Sequence, residues 1–316
     1  MRVGLVLGGG GVVGASWMVG ALQALEEEAG FRADSATRVL GTSAGALVGA
    51  LGAAGVSPAE MGQFASGTAS QLVGGAAGPY SLSLWPPPLG FGSARMAAAM
   101  LRRQRDRSVG ALVMGLLPRG VIKTDPIHRL VERVVGASWP TSPALRVVAC
   151  DYASGQRVTF GSRRAPSSSV GEAVAASCAI PAFFQPVRIG ERSYIDGGIH
   201  SHSNLDLIAD EDLDLVICLS PMSSRASTAG STMLDRIAAA RRRRAAAVLL
   251  AEAATLSRSG TELVVLEPEF DDLVAMGANP MARDRAEQVI ATARASATRA
   301  LHRLGLAATL APASAH

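Results

Sequence analysis

Ser43 stands in Gly41-Thr-Ser-Ala-Gly45, the G-x-S-x-G spacing of a serine nucleophile carried on a sharp strand-to-helix turn. Such a turn strains the backbone and admits only small neighbours, and the helix behind it brings a positive N-terminal end toward a developing oxyanion. In a chain this rich in Gly, Ala and Ser the pentapeptide alone fits an ordinary turn equally well, so its setting must decide. A second constellation is Gly8-Gly-Gly-Gly11-Val-Val-Gly14, whose bare backbone N–H groups suit an anion, either a phosphate or the oxyanion of a tetrahedral intermediate. The third is Asp196-Gly197-Gly198. An aspartate before two glycines is by default a turn former, yet the glycines would also let its carboxylate close on a serine.

These residues need elements to hold them. Residues 3–7 read as a short buried strand ended by glycines, and residues 14–28 carry a helical apolar pattern. Residues 38–40 form a second strand that runs into Gly41, followed by an Ala/Leu/Val helix. Strand, glycine loop, helix, strand, tight turn, helix predicts an α/β sheet covered on both faces. Further along, residues 126–135 and 170–178 read as helices, 145–150 and 156–160 as strands, and 187–189 with 193–195 as a hairpin. Residues 213–219 and 262–266 complete the strands, and long helices are expected over 231–257 and 282–304. Residues 74–120, with Pro79, Trp85, the Pro86 to Pro88 run and Phe91, predict an inserted flap, and the tail 307–316 is expected to be disordered.

Read as Gly9-x-Gly11-x-x-Gly14, the loop also fits a dinucleotide fingerprint. That site expects an acidic residue near the end of the next strand. Here the strand runs into Gly41-Thr42-Ser43 and Asp34 precedes it. A nucleotide-binding oxidoreductase therefore stays as the weaker rival.

In order and spacing the three pieces resemble the patatin-like phospholipase family, with its glycine-rich oxyanion loop, G-x-S-x-G serine and D-G-[GA] aspartate. Two more blocks extend the resemblance over roughly residues 3–209: Ala149-Cys150-Asp151-Tyr-Ala-Ser-Gly155 and Ala176-Ser-Cys-Ala-Ile-Pro181-Ala-Phe-Phe184-Gln-Pro186-Val187. The resemblance implies a three-layer α/β/α fold with a mostly parallel sheet, a catalytic domain over 3–209, and 210–306 completing it. It implies Ser43 as nucleophile, Asp196 as base, and an oxyanion hole from the N–H groups of Gly9, Gly10 and Gly11, with Gly14, Gly41, Gly45, Gly197 and Gly198 as motif glycines. The activity implied is hydrolysis of lipid carboxylic esters (phospholipase A, lysophospholipase or neutral-lipid esterase) with no metal and no cofactor. A lipid- or acyl-binding pseudoenzyme is the alternative. The chain departs from the family at Val13, where Arg or Lys is usual, and Arg188 or Arg192 are candidates to supply that charge.

His200 and His202 follow Asp196 in the order of a Ser–Asp–His triad, but Ser43 comes too early for an α/β-hydrolase, so both are expected to be loop residues. Composition agrees with an enzyme rather than a nucleic-acid binder: 48% hydrophobic residues bound a globular chain, aromatics are 4%, and the net charge is only +4. Almost all the positive charge is arginine, and the basic segment 95–107 is either a solvated face or a peripheral contact at an anionic membrane. The run Arg241 to Arg244 reads as solvated surface. Cys150, Cys178 and Cys218 lie in apolar stretches without metal-ligand spacing, which suits a reducing cytoplasm. Met1-Arg2 followed by apolar residues and Gly14-Ala15-Ser16 could pass for a secretory leader, but Gly8 to Gly11 interrupt the apolar centre such a leader needs. No apolar run approaches the ~18–20 residues that span a bilayer.

Overall fold

The computed structural model describes residues 1–66, 120, 122–226 and 232–306. The basic segment 95–107, Trp85, nearly all of the expected flap and the tail 307–316 lie outside them. Among the described residues eight strands form one mixed sheet. They are β1 (Val3–Leu7), β2 (Arg38–Thr42), β3 (Ala144–Asp151), β4 (Arg157–Phe160), β5 (Val187–Ile189), β6 (Arg192–Asp196), β7 (Leu215–Leu219) and β8 (Glu262–Leu266). The helices are α1 (Gly11–Ala29), α2 (Ala44–Ala53), α3 (Pro58–Ala65), α4 (Asp125–Val134), α5 (Val170–Ser177), α6 (Met233–Ser257), α7 (Phe270–Met276) and α8 (Ala286–Arg303).

β3, β2, β1, β7 and β8 lie side by side and parallel. Strands buried on both faces read as aliphatic runs, and the alternation of their side chains sorts the core into two layers. Leu5, Leu7, Val39, Leu145, Val147 and Ile217 face α1, α2, α5 and α8. Val6, Leu40, Val148, Val216 and Cys218 face Leu249 and Leu256 of α6 and the turn Leu205–Ile208. This is the expected three-layer α/β/α arrangement. None of the described helices is long and apolar enough to cross a membrane.

The sheet edge at β3 decides the site. β4 pairs antiparallel along one edge of β3, from Val147 to Cys150. The opposite edge is shared. β2 occupies it in parallel as far as Thr42 opposite Val148, and β6 takes over antiparallel from Asp196 opposite Ala149. Two strands thus run toward each other along one lane, and their ends are Thr42, just before Ser43, and Asp196.

Two helices escaped the sequence reading. Periodicity over eight residues is too short to separate α3 from a loop, although Ser57, Pro58 and Glu60 spell a capping box. The seven-residue α7 is shorter still. The glycine run is also shorter than expected as a loop: α1 begins at Gly11, so Gly11 and Gly14 are helical and only Gly8 to Gly10 connect β1 to it. Gly20 of α1 packs on α8, where a Cβ would overlap the Ile290 carbonyl oxygen. Gly20→Ala should lower stability by about 1–3 kcal/mol through overpacking. Gly62→Ala, in α3 with its nearest neighbour at 3.4 Å, should instead gain up to about 1 kcal/mol of helix propensity. Urea midpoints of the two variants check both signs.

Candidate active site

At Ser43 the chain leaves β2 and enters α2 with φ 53° and ψ −120°. A non-glycine residue held there stores roughly 1–3 kcal/mol of strain. The turn closes because its flanks lack side chains. A Cβ on Gly45 would overlap the Leu7 carbonyl oxygen, and one on Gly41 would stand 2.5 Å from Ala46 Cα.

Asp196 ends β6, and its two oxygens divide the work. Oδ2 accepts a hydrogen bond from Ser43 Oγ at 2.6 Å. Oδ1 accepts the Gly198 N–H at 2.7 Å and so caps the short turn Gly197–Ile199. Turn former and serine partner are therefore one carboxylate. Gly197 crosses directly over β3, where a Cβ would lie 2.5 Å from the Val148 carbonyl oxygen.

The tripeptide Ser177-Cys178-Ala179 at the end of α5 holds both residues. Ser43 N–H donates to Ser177 Oγ at 2.8 Å, and that hydroxyl donates to the Val148 carbonyl at 2.6 Å. The Cys178 thiol donates to the Ser43 carbonyl at 3.3 Å, and Asp196 N–H donates to the Ala179 carbonyl at 3.0 Å. Ser177 and Cys178 were unassigned by sequence reasoning. They lie inside a recognised block, but nothing local shows which of its residues turn toward Ser43.

Ser43 and Asp196 are buried, at 6% and 5% exposure. Burial raises the Asp196 carboxyl to about 6, outweighing the hydrogen bonds from Ser43 and Gly198 that favour its charged form. His202 is shifted the other way. Burial, then the charges of Arg241 and Arg242, lower it to about 4, so the ring is neutral near pH 7. It does more than sit in a loop: its Nδ1 would be 3.5 Å from a Cβ on Gly9 and 3.3 Å from one on Gly198. The ring thus walls the site between the two glycine segments, without a hydrogen bond to Asp196 among the described contacts.

Gly9, Gly10 and Gly11 are not equivalent. A Cβ on Gly9 would lie 3.2 Å from Ser43 Cβ, so the loop does face the serine. Its N–H, however, donates to the His202 carbonyl at 2.8 Å, and that of Gly8 to Leu219 at 2.9 Å. The expectation that Gly9 offers a free donor is corrected: strand-like pairing with the 202 loop consumes it. No other described residue engages the N–H of Gly10 or Gly11. Arg188 and Arg192 also fail as substitutes for a cation at position 13. They sit on the β5–β6 hairpin, bonded to the Gly190 carbonyl and to Asp151. The arginines that share a cavity with Val13 are Arg241 and Arg242, brought from α6. More than two hundred residues separate them from the loop, and no sequence signal connects the two.

Residues 5–208, which hold the glycine loop, Ser43 and Asp196, match the family model described as Patatin-like phospholipase. The chain belongs to the patatin-like phospholipase family. Among solved structures it is similar to VipD from Legionella pneumophila, with 16% identity and TM-score 0.40 over 92% of this chain and 67% of that one. It is also similar to the type III effector protein ExoU, with 17% identity and TM-score 0.37 over 96% of this chain and 53% of that one. A second ExoU structure, the heterodimeric ExoU-SpcU complex from Pseudomonas aeruginosa, gives 19% identity and TM-score 0.33 over 96% and 59%. The patatin-like chain thus spans about half the length of ExoU.

A carboxyl raised on folding stabilises the protein fully below its unfolded value, and that contribution is lost as pH climbs through its folded one. For Asp196 the window runs from about 3.9 in the unfolded chain to about 6 in the folded one. Asp196→Asn, which keeps the shape without the charge, should therefore be more stable than wild type at pH 8, by up to about 3 kcal/mol. The difference should vanish by pH 4. Thermal unfolding of both proteins at the two pH values measures it.

Proposed function

We propose that this chain is a serine hydrolase of lipid carboxylic esters, acting through a Ser43–Asp196 dyad and an acyl-enzyme. The reading rests on the 2.6 Å hydrogen bond from Ser43 Oγ to Asp196 Oδ2 at a strained turn facing the glycine loop. Ionised Asp196 accepts the Ser43 proton as Oγ attacks the ester carbonyl. The carbonyl oxygen, now negative, is received by the free N–H groups of Gly10 and Gly11. The proton passes to the departing alcohol. A water that Asp196 then deprotonates attacks the acyl-enzyme, releasing the carboxylic acid and restoring Ser43. Membership of the patatin-like phospholipase family supports phospholipase A, lysophospholipase or neutral-lipid esterase activity. The packing of Ser43 against Gly9, and the use of the Gly9 N–H by His202, favour this over a dinucleotide at the same loop.

Domain extent follows from the same reading: 3–209 carries the catalytic groups, and 210–306 completes the unit by adding β7 and β8 to the sheet. The site of action proposed is cytoplasmic, with peripheral contact where lipid is met.

Release of p-nitrophenol from short and long acyl esters tests the proposal. Ser43→Ala and Asp196→Asn should each lower turnover on the order of 10⁴-fold. Wild-type turnover should fall about tenfold per pH unit below the Asp196 value of about 6. Full activity in Asp196→Asn would show the base to be wrong and turn attention to His202. A folded wild type inert on every ester, micellar long-chain ones included, would put an acyl-binding protein in place of the enzyme.

A further inference from the structure

Beside the glycine loop lies a cavity of about 340 Å³, bounded by Gly10 and Val13, the first turns of α6 and the segment 276–280, with neither Ser43 nor Asp196 in its lining. Its walls are largely apolar, with Met222, Ile237 and Met276 among them, and no carboxylate among the described residues lines it. Two guanidinium groups do. That of Arg242 is committed, donating from Nη1 to the Pro221 carbonyl at 2.9 Å, and the Pro221 ring packs against Gly10 and Gly14. Arg241 is exposed and makes no ion pair or hydrogen bond among the described residues.

Nothing on its own helix can answer that charge. α6 carries two acids, Asp235 and Glu252. Asp235 is bound to Thr232 in the helix cap, and Glu252 is buried, accepting from Ser203 Oγ and the Leu205 N–H. Solvated arginine runs usually need no partner. Here, however, two like charges meet at the lining of an apolar hollow, where burial first, and then the charge of Arg241, lowers the affinity of Arg242 for its proton. The cavity's volume falls at the small end of the ~300–1,000 Å³ typical of ligand sites, which suits one head group with a short stem.

We propose that this cavity is an accessory site for an anionic amphiphile, whose carboxylate or phosphate head is held by Arg241 while its apolar stem lies against Met222, Ile237 and Met276. A guanidinium fork matches either head in two-point geometry. A released fatty acid and a single-chain phospholipid both have this chemistry. Because Gly10 belongs to the cavity and to the loop facing Ser43, an occupant bears on the geometry of that loop.

Calorimetry below the micellar range, with laurate, monododecyl phosphate, dodecanol and inorganic phosphate, tests the site on the whole chain. Wild type should bind at least one of the two anionic amphiphiles and should bind dodecanol and inorganic phosphate at least tenfold more weakly. Arg241→Gln should weaken the amphiphile at least tenfold while unfolding at the same urea midpoint as wild type. Ile237→Asp, at a half-exposed wall position, should weaken the same ligand from the stem side. Tighter laurate binding identifies the fatty-acid class, and tighter alkyl phosphate binding the phospholipid class. Equal affinity in Arg241→Gln, dodecanol binding as well as the anions, or no amphiphile binding by wild type would each overturn the site. Binding is read without turnover, so a chain inert on esters would defeat the hydrolase proposal while leaving this one standing or falling by itself.

Discussion

One edge of β3 is divided between two strands that approach from opposite directions, and the candidate site exists because of that division. β2 delivers the Ser43 turn as far as Val148, and β6 arrives at Ala149 from the other side with Asp196 at its tip. The hydrogen-bond ladder fixes where each strand stops to within a residue, and a one-residue slip would turn the carboxylate to the other face of the sheet. The 2.6 Å contact between Ser43 and Asp196 is thus a property of sheet register as much as of the two side chains.

Around that junction the structure gives up stability in particular places. Ser43 holds a strained backbone, and Asp196 keeps a carboxylate where burial disfavours its charge. The compensation is a set of buried hydrogen bonds drawn from distant elements. Ser177 bridges Ser43 to β3. Asn204 donates to Thr42 Oγ1 at 3.1 Å and to the Ser201 carbonyl at 2.6 Å, and accepts from Arg157, which is itself paired with Asp206. Glu252 reaches in from α6 to fix Ser203 and the Leu205 N–H. Together these hold the segment 197–205, which caps Asp196 at one end and ties down Gly9 at the other. Losing one partner of such a buried network leaves the other unsatisfied, at a cost of about 1–3 kcal/mol.

The same segment explains why the glycine loop divides its labour. Gly8 and Gly9 extend the β1 ladder by bonding to Leu219 and His202, while Gly10 and Gly11 turn into α1 with their N–H groups clear of other described residues. Glycine serves two ends in four positions. At Gly9 it allows Ser43 and His202 to come close, and at Gly11, with φ 65° and the Pro280 carbonyl 2.6 Å from any Cβ, it alone permits the turn. α6 then closes the loop from outside through Arg242 and Pro221.

Much of this was legible beforehand. An aliphatic run ended by glycines gave β1 its bounds, and the strand–turn–helix setting of Ser43 followed from local pattern, because burial on both faces imposes its own composition on a strand. The order of the glycine loop, the serine and the aspartate marked the family, since each motif answers a local steric demand that only certain residues meet. What the sequence could not hold was any relation between separated segments. Ser43 and Asp196 lie 153 positions apart, and their meeting depends on which edge of β3 each strand takes. That the Gly9 N–H is spent, that Ser177 grips Ser43, that His202 is a wall and not only a loop, and that Arg241 and Arg242 share a cavity with Val13 were all decided by packing. Periodicity and motif report what a residue's near neighbours require. Hydrogen-bond partners and electrostatic fields are set by distance in space, and only the folded sheet fixes that.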